Sequence, residues 1–358
     1  MKHTLSLTGG LAAAMLATST TLPAQSVATD PVGYTTVTCL PNSDTIVSVP
    51  FLNTTDSITS AVSGSATEDG TTATFTLNGI TGLTTDQYAT YYYVRFTGGT
   101  LDGNFYQITA NGSDNVTIEL NGDAATDISD TDTLKVYKFW TLGTLFPQAT
   151  QDTIVESASN RLSARRTEVL IPDNSTEGVN RSAGSVHFLK STGWADASDN
   201  GDSDNKLLWP DSYIIIRHPV AVSTSTTYTA SGTVDTNSQI VIPLSTRTTG
   251  AQDNYVAVPR PVDVALNNLN LYESGAFVAS TSSRLSGRRD ELHIFDNTAG
   301  SLNKSASKIF YHDGTNWIDS SDKSTADTDT IKASEGIIIR KYQTLDGATH
   351  FWNNTPSY

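Results

Sequence analysis

The chain has 358 residues, 37 of them Asp or Glu against 22 Lys or Arg, for a formal net charge of −15. An acid excess of that size repels a phosphate backbone and excludes nucleic acid as the partner. The single cysteine excludes an intramolecular disulfide, and beyond the first residues no stretch approaches the roughly 18 consecutive apolar residues of a membrane-spanning helix, so no membrane span is expected in the mature chain.

At the start, Lys2 and His3 precede an apolar run from Leu5 to Leu16, and small and polar residues continue up to Ala28. This is the order of a secretory signal peptide over residues 1–28, with Ala24, Ser26 and Ala28 as candidate last residues. It predicts an exported chain that is extracellular, on the cell surface or periplasmic. The remainder of the chain is rich in Thr, Ser, Val, Ile and Tyr, punctuated by Gly, Asn and Asp, and no stretch keeps helical periodicity over ten residues. The composition is that of an all-β protein. In "TVTCL" Cys39 shares strand parity with Val37, which predicts a small buried hydrophobe.

Two offsets organise the rest. Arg161–Arg217 aligns without a gap on Arg284–Arg340, with 22 of 57 residues identical at an offset of 123. Shared positions include Asn174/Asn297, Asn180/Asn303, Trp194/Trp317 and the closing "IIIR". Upstream, "DTIVSVPF" at Asp44 resembles "DNYVAVPR" at Asp253 at an offset of 209, so the first copy carries an insert of 86 residues. These matches predict two homologous β-sandwich-like modules, at 29–218 and 219–358. A small barrel-like β-domain interrupts the first at about 57–140. Within the insert, "ITANGSDNVTI" predicts a hairpin whose Asn111-Gly112 supplies positive φ.

The segments "ATDPVGYTTV", "WTLGTLF", "DNYVAVPRPVDVALNNL", "RRDELHIFDN", "NKSAS" and "GIIIRKY" resemble an uncharacterised family of exported bacterial β-rich proteins, often paralogous, over essentially the whole mature chain. The resemblance implies secretion and a β-rich build, and carries over no catalytic residue.

Of the arginines, 161/284, 165/288, 166/289 and 217/340 pair across the copies. Arg161, Arg165 and Arg166 are followed by Glu168 and Asp173, and Arg284, Arg288 and Arg289 by Glu291 and Asp296. Guanidinium forks beside matched carboxylates predict an internal ion-pair brace rather than an anion site. In the acidic loop 196–205, Asp199, Asp202 and Asp204 are the candidate ligands for Ca²⁺. Tyr91, Tyr92 and Tyr93 are candidate glycan contacts, since strand parity should expose at least one ring. Trp194 and Trp317 are expected in the core, and Trp352 and Tyr358, which have no match in the other copy, on the surface. No H-E-x-x-H, G-x-S-x-G or P-loop is present, and His187, His218, His293 and His312 do not match across the copies, which argues against an enzyme. The expectation is therefore a non-enzymatic structural or cell-surface protein that self-associates, with a carbohydrate-binding or adhesive module for extracellular polysaccharide as the alternative. The uncharged start from Pro31 to Leu40 reads first as the opening strand of its own module, and alternatively as a strand that pairs with a neighbouring chain.

Overall fold

The computed structural model describes residues 30–356; the expected signal peptide and Tyr358 lie outside them. The first module opens with β1 (Val32–Cys39) and β2 (Ser43–Val47). The insert carries β3 (Phe51–Asp69), β4 (Thr72–Leu77), β5 (Tyr92–Phe96), β6 (Phe105–Asn111), β7 (Asn115–Glu119) and β8 (Thr133–Lys138). The first module resumes with β9 (Trp140–Thr141), β10 (Glu168–Ile171), β11 (Ser185–Lys190), β12 (Gly193–Asp196), β13 (Leu207–Leu208), β14 (Ile214–His218) and β15 (Thr226–Val234). β15 lies past residue 218, the expected module boundary, but it pairs with β1 and its Tyr228 and Ala230 pack in the first core. The second contains β16 (Ile240–Leu244), β17 (Gln252–Ala257), β18 (Val264–Ala265), β19 (Glu291–Ile294), β20 (Lys308–His312), β21 (Trp317–Asp319), β22 (Thr330–Ile331), β23 (Gly336–Lys341) and β24 (His350–Asn354).

The insert is a closed six-stranded barrel, β3-β4-β7-β6-β5-β8, in which β8 pairs back onto β3. Alternation fills it: Ala73, Phe75, Tyr106, Ile108, Val116, Ile118, Leu134 and Val136 point inward and are buried. Closure removes the sheet edges that a small β-domain would otherwise expose. β5 is buried on both faces. Val94 and Phe96 line the barrel, while Tyr93 packs with Tyr137, Phe139 and Leu52 at the junction with the first module. The β6–β7 hairpin forms, but neither Asn111 nor Gly112 takes positive φ. Asn111 is buried instead, and its side chain accepts from Tyr88 N and donates to the carbonyls of Thr84 and Gly112, so it is a loop anchor rather than a turn residue.

The two modules share one plan. The first has a five-stranded sheet in the order β12-β11-β10-β14-β2, and the second has β21-β20-β19-β23-β17, each built from matched strands. Over each sheet lies a ribbon, β1–β15 in the first and β16–β24 in the second. Val169, Trp194 and Ile216 pack with Cys39 and Tyr228 in one core; Leu292, Trp317 and Ile339 pack with Ile242 and Trp352 in the other. Trp352, expected at the surface for want of a match, is fully buried, its indole N–H donating to Leu269 O at 2.7 Å. Its ribbon needs a large ring, and its polar end has a partner.

The outer faces of the two sheets meet. Ile46, Tyr213 and Ile215 of the first module pack on Tyr255, Phe295 and Ile338 of the second. Near the pseudo-twofold relation between the copies, matched residues must compete for one space. Tyr213 and Gly336 are such a pair: a Cβ on Gly336 would lie 2.4 Å from Cβ of Tyr213. The second copy therefore carries glycine where the first carries tyrosine. Gly336→Ala should cost about 1–3 kcal/mol in urea unfolding by overpacking. Tyr213→Gly should cost less in that background than in the wild type; additive costs would contradict the contact.

Candidate functional site

The repeated polar residues form a reciprocal clasp. Along the outer edge of β2, Asp44 N donates to Ser301 O, Asn297 bonds both backbone groups of Ile46, and Ser48 N donates to Ser334 O. Along β17 the matched contacts recur. Asp253 N donates to Gly178 O, Asn174 bonds both backbone groups of Tyr255, and Ala257 N donates to Asp211 O. Each module thus lends a loop to the open edge of the other's sheet.

Charge locks both loops. Arg217 forks onto Asp44 at 2.7 Å through Nε and Nη2 and also donates to Asn303 Oδ1 at 2.7 Å. Arg340 forks onto Asp253 at 2.7 and 3.0 Å and donates to Asn180 Oδ1 at 2.9 Å. The two asparagine N–H groups return to Asp44 and Asp253, both at 2.7 Å. Asn180 and Asn303 sit at φ 49° and 52°, a left-handed conformation that Asn tolerates better than most side chains.

The expected arginine brace splits. Arg165 meets Glu168 at 3.6 Å and Arg288 meets Glu291 at 3.2 Å. Each also donates to a loop carbonyl, Ala197 or Ser320, and lies over a ring, Phe188 or Tyr311. Arg166 and Arg289 are half-buried and each donates to the preceding carbonyl. Arg161 and Arg284 are exposed. Asp173 and Asp296 stand apart from the arginine phrase: Asp173 accepts from Ser175 and Thr176, and Asp296 from Thr298, starting the clasp loops. Those hydrogen bonds hold both carboxyls below their ordinary range.

The acidic loop is a fold-back. Asp199 accepts from Gly201 N, Asp202 from Asp204 N, and Asp204 from Trp194 N. The loop bridges Ala195 to Asp202 and covers the free side of β12; the second module repeats this with Ile318 and Thr325. The three carboxylates are spent on separate backbone donors, and no three His, Cys, Asp or Glu side chains converge on a metal-sized site among the described residues. Tyr92 and Tyr93 are buried and cannot stack on a sugar; Tyr91 is 37 % exposed.

One buried pair carries no sequence signal as a site. Lys341 and Asp290 form an ion pair fully enclosed in the second module. Asp290 also accepts from Val278 N and Tyr342 N, both at 2.7 Å, and burial pushes the Lys341 pKa down. At the matched places the first module has Thr167 and His218, 3.0 Å apart, with Val155 N donating to the hydroxyl. Pro219 stands opposite Tyr342 and has no N–H, so a single hydroxyl suffices there. Asp290→Thr alone should cost roughly 3–5 kcal/mol, because it strands a buried ammonium. Adding Lys341→His should recover part of that, leaving about 1–3 kcal/mol for the unpaired Tyr342 N–H. Thermal or urea unfolding of the two variants checks this, and a double variant no more stable than the single would contradict it.

The candidate pairing strand, β1, has a bare outer side. Val234 N donates to Pro31 O, and this register turns the backbone N–H and C=O of Val32, Tyr34, Thr36 and Thr38 away from β15. Nothing bonds them among the described residues, and Val32 and Tyr34 are 76 % and 74 % exposed. The equivalent strand, β16, is guarded. Val241 N donates to Gly103 O of the barrel, and Pro243 offers no N–H. Comparison of the chain with protein-family models, curated proteins and solved structures finds no match.

Proposed function

We propose that the chain is an exported, non-enzymatic structural protein of the cell surface that pairs with a second copy of itself through β1. One observation carries this reading: the outer side of β1 is unguarded while the matched β16 is blocked by Pro243 and the Gly103 turn. β1 has no charged side chain over its eight residues, and charge is the usual device against edge pairing. Export rests on the composition of residues 1–28. An edge that pairs with its own copy gives a closed, isologous contact of β1 with β1, which makes a dimer rather than a filament. Val37 and Cys39 belong to the core, so deleting the strand would damage the fold, whereas a point change on the outer side need not.

Thr36→Pro removes an outward N–H that has no partner among the described residues. In sedimentation velocity, residues 29–358 should run as a dimer at micromolar concentration. The Thr36→Pro variant should run as a folded monomer with unchanged circular dichroism. A wild-type chain that is monomeric at its highest soluble concentration, or a variant that dimerises equally well, would contradict the proposal.

A further inference from the structure

We infer that the cleft where the barrel and both modules meet is a binding site for a neutral oligosaccharide. It has a volume of about 880 Å³, in the range of sites that enclose small ligands. All three parts contribute aromatic residues to its lining: Phe105 and Tyr106 from the barrel, Trp209 from the first module and Phe351 from the second. Trp209 is 40 % and Phe351 48 % exposed. Trp209 is held rigidly, with its ring 5.1 Å from Phe139 and 6.3 Å from Phe105. Trp209 and Phe351 thus present partly exposed rings to the cleft, with the half-buried Phe105 beside Trp209.

The polar lining supplies the complement. Lys206 Nζ and the hydroxyls of Ser245 and Thr349 have no hydrogen-bond partner among the described residues. Desolvation pushes the pKa of Asp211 up to about 6, against the smaller opposing effects of its own backbone N–H and the Arg95 charge. Flat apolar rings beside unengaged donors and acceptors match a pyranose, which has a C–H face and a girdle of hydroxyls. Charge selects the class. Asp123, Asp173 and Asp211 oppose the single Lys206, so an anionic sugar is repelled and a neutral one is not. This site is independent of β1 and of the dimer.

The test is calorimetric titration of the intact mature chain with cellotetraose, maltotetraose, mannotetraose and chitotetraose, with tetragalacturonate as the anionic control. At least one neutral tetrasaccharide should bind with millimolar or tighter affinity. Phe351→Ala, an exposed change checked by near-ultraviolet circular dichroism, should weaken it at least tenfold. The Thr36→Pro monomer should bind as well as the wild type. No binding by any neutral tetrasaccharide, unchanged binding by Phe351→Ala, or tighter binding of tetragalacturonate would overturn the inference.

Discussion

The structure depends on two carboxylates, Asp44 and Asp253, each nearly sealed from solvent and each held by an arginine fork and an asparagine N–H. A buried carboxylate is costly unless every oxygen is engaged. Arg217 belongs to the same module as Asp44, but Asn303 belongs to the other; the same holds for Arg340, Asp253 and Asn180. The charge is therefore fully satisfied only when the modules are docked. Because the contacts are reciprocal, the pairing has the logic of an isologous dimer whose two halves share one chain. It also resolves why the arginine-bearing segment is written twice: residue i of one copy requires residue j of the other, and both must persist together.

Much of this fold was legible in the sequence. The two offsets exposed the repeat and the insert, strand parity placed Cys39 in the core, and recurrence in both copies placed Trp194 and Trp317 there, where they lie. The clasp was not legible as such, although Asn174/Asn297, Asn180/Asn303 and Arg217/Arg340 stood among the identities. An alignment of two copies records what each must contain, and cannot say whether a matched polar residue serves its own module or the neighbour. Asp173 and Asp296 show the same blindness: their spacing from the arginines is fixed by the loop they begin, not by an ion pair. Trp352 is buried despite having no counterpart, because the two ribbons fill their cores with different rings. Tyr92 and Tyr93 defied alternation because β5 is covered on both faces, by the barrel interior and by the module junction.

Edge management connects the fold to the proposed function. The outer edges of β2 and β17 are closed by the clasp, those of β12 and β21 by the acidic fold-back loops, and the insert by barrel closure. The Asp-rich loops and the asparagine loops are thus two solutions to one physical problem, the unpaired backbone of a sheet edge. Against that background the bare outer side of β1 contrasts with the guarded edge of the matched β16. The three-way cleft is likewise a by-product of docking, since its rings come from parts that meet only when both modules and the barrel are assembled.

The central claim is that the reciprocal clasp, rather than either core alone, couples the two modules. Urea unfolding of Asn174→Ala/Asn297→Ala, followed by tryptophan fluorescence, tests it most directly, because Trp194 reports on one module and Trp317 and Trp352 on the other. Removing both side chains deletes four hydrogen bonds to strand edges, about 2–6 kcal/mol in all. The account predicts a lower midpoint and the separation of one cooperative transition into two. A single transition at the wild-type midpoint would contradict it.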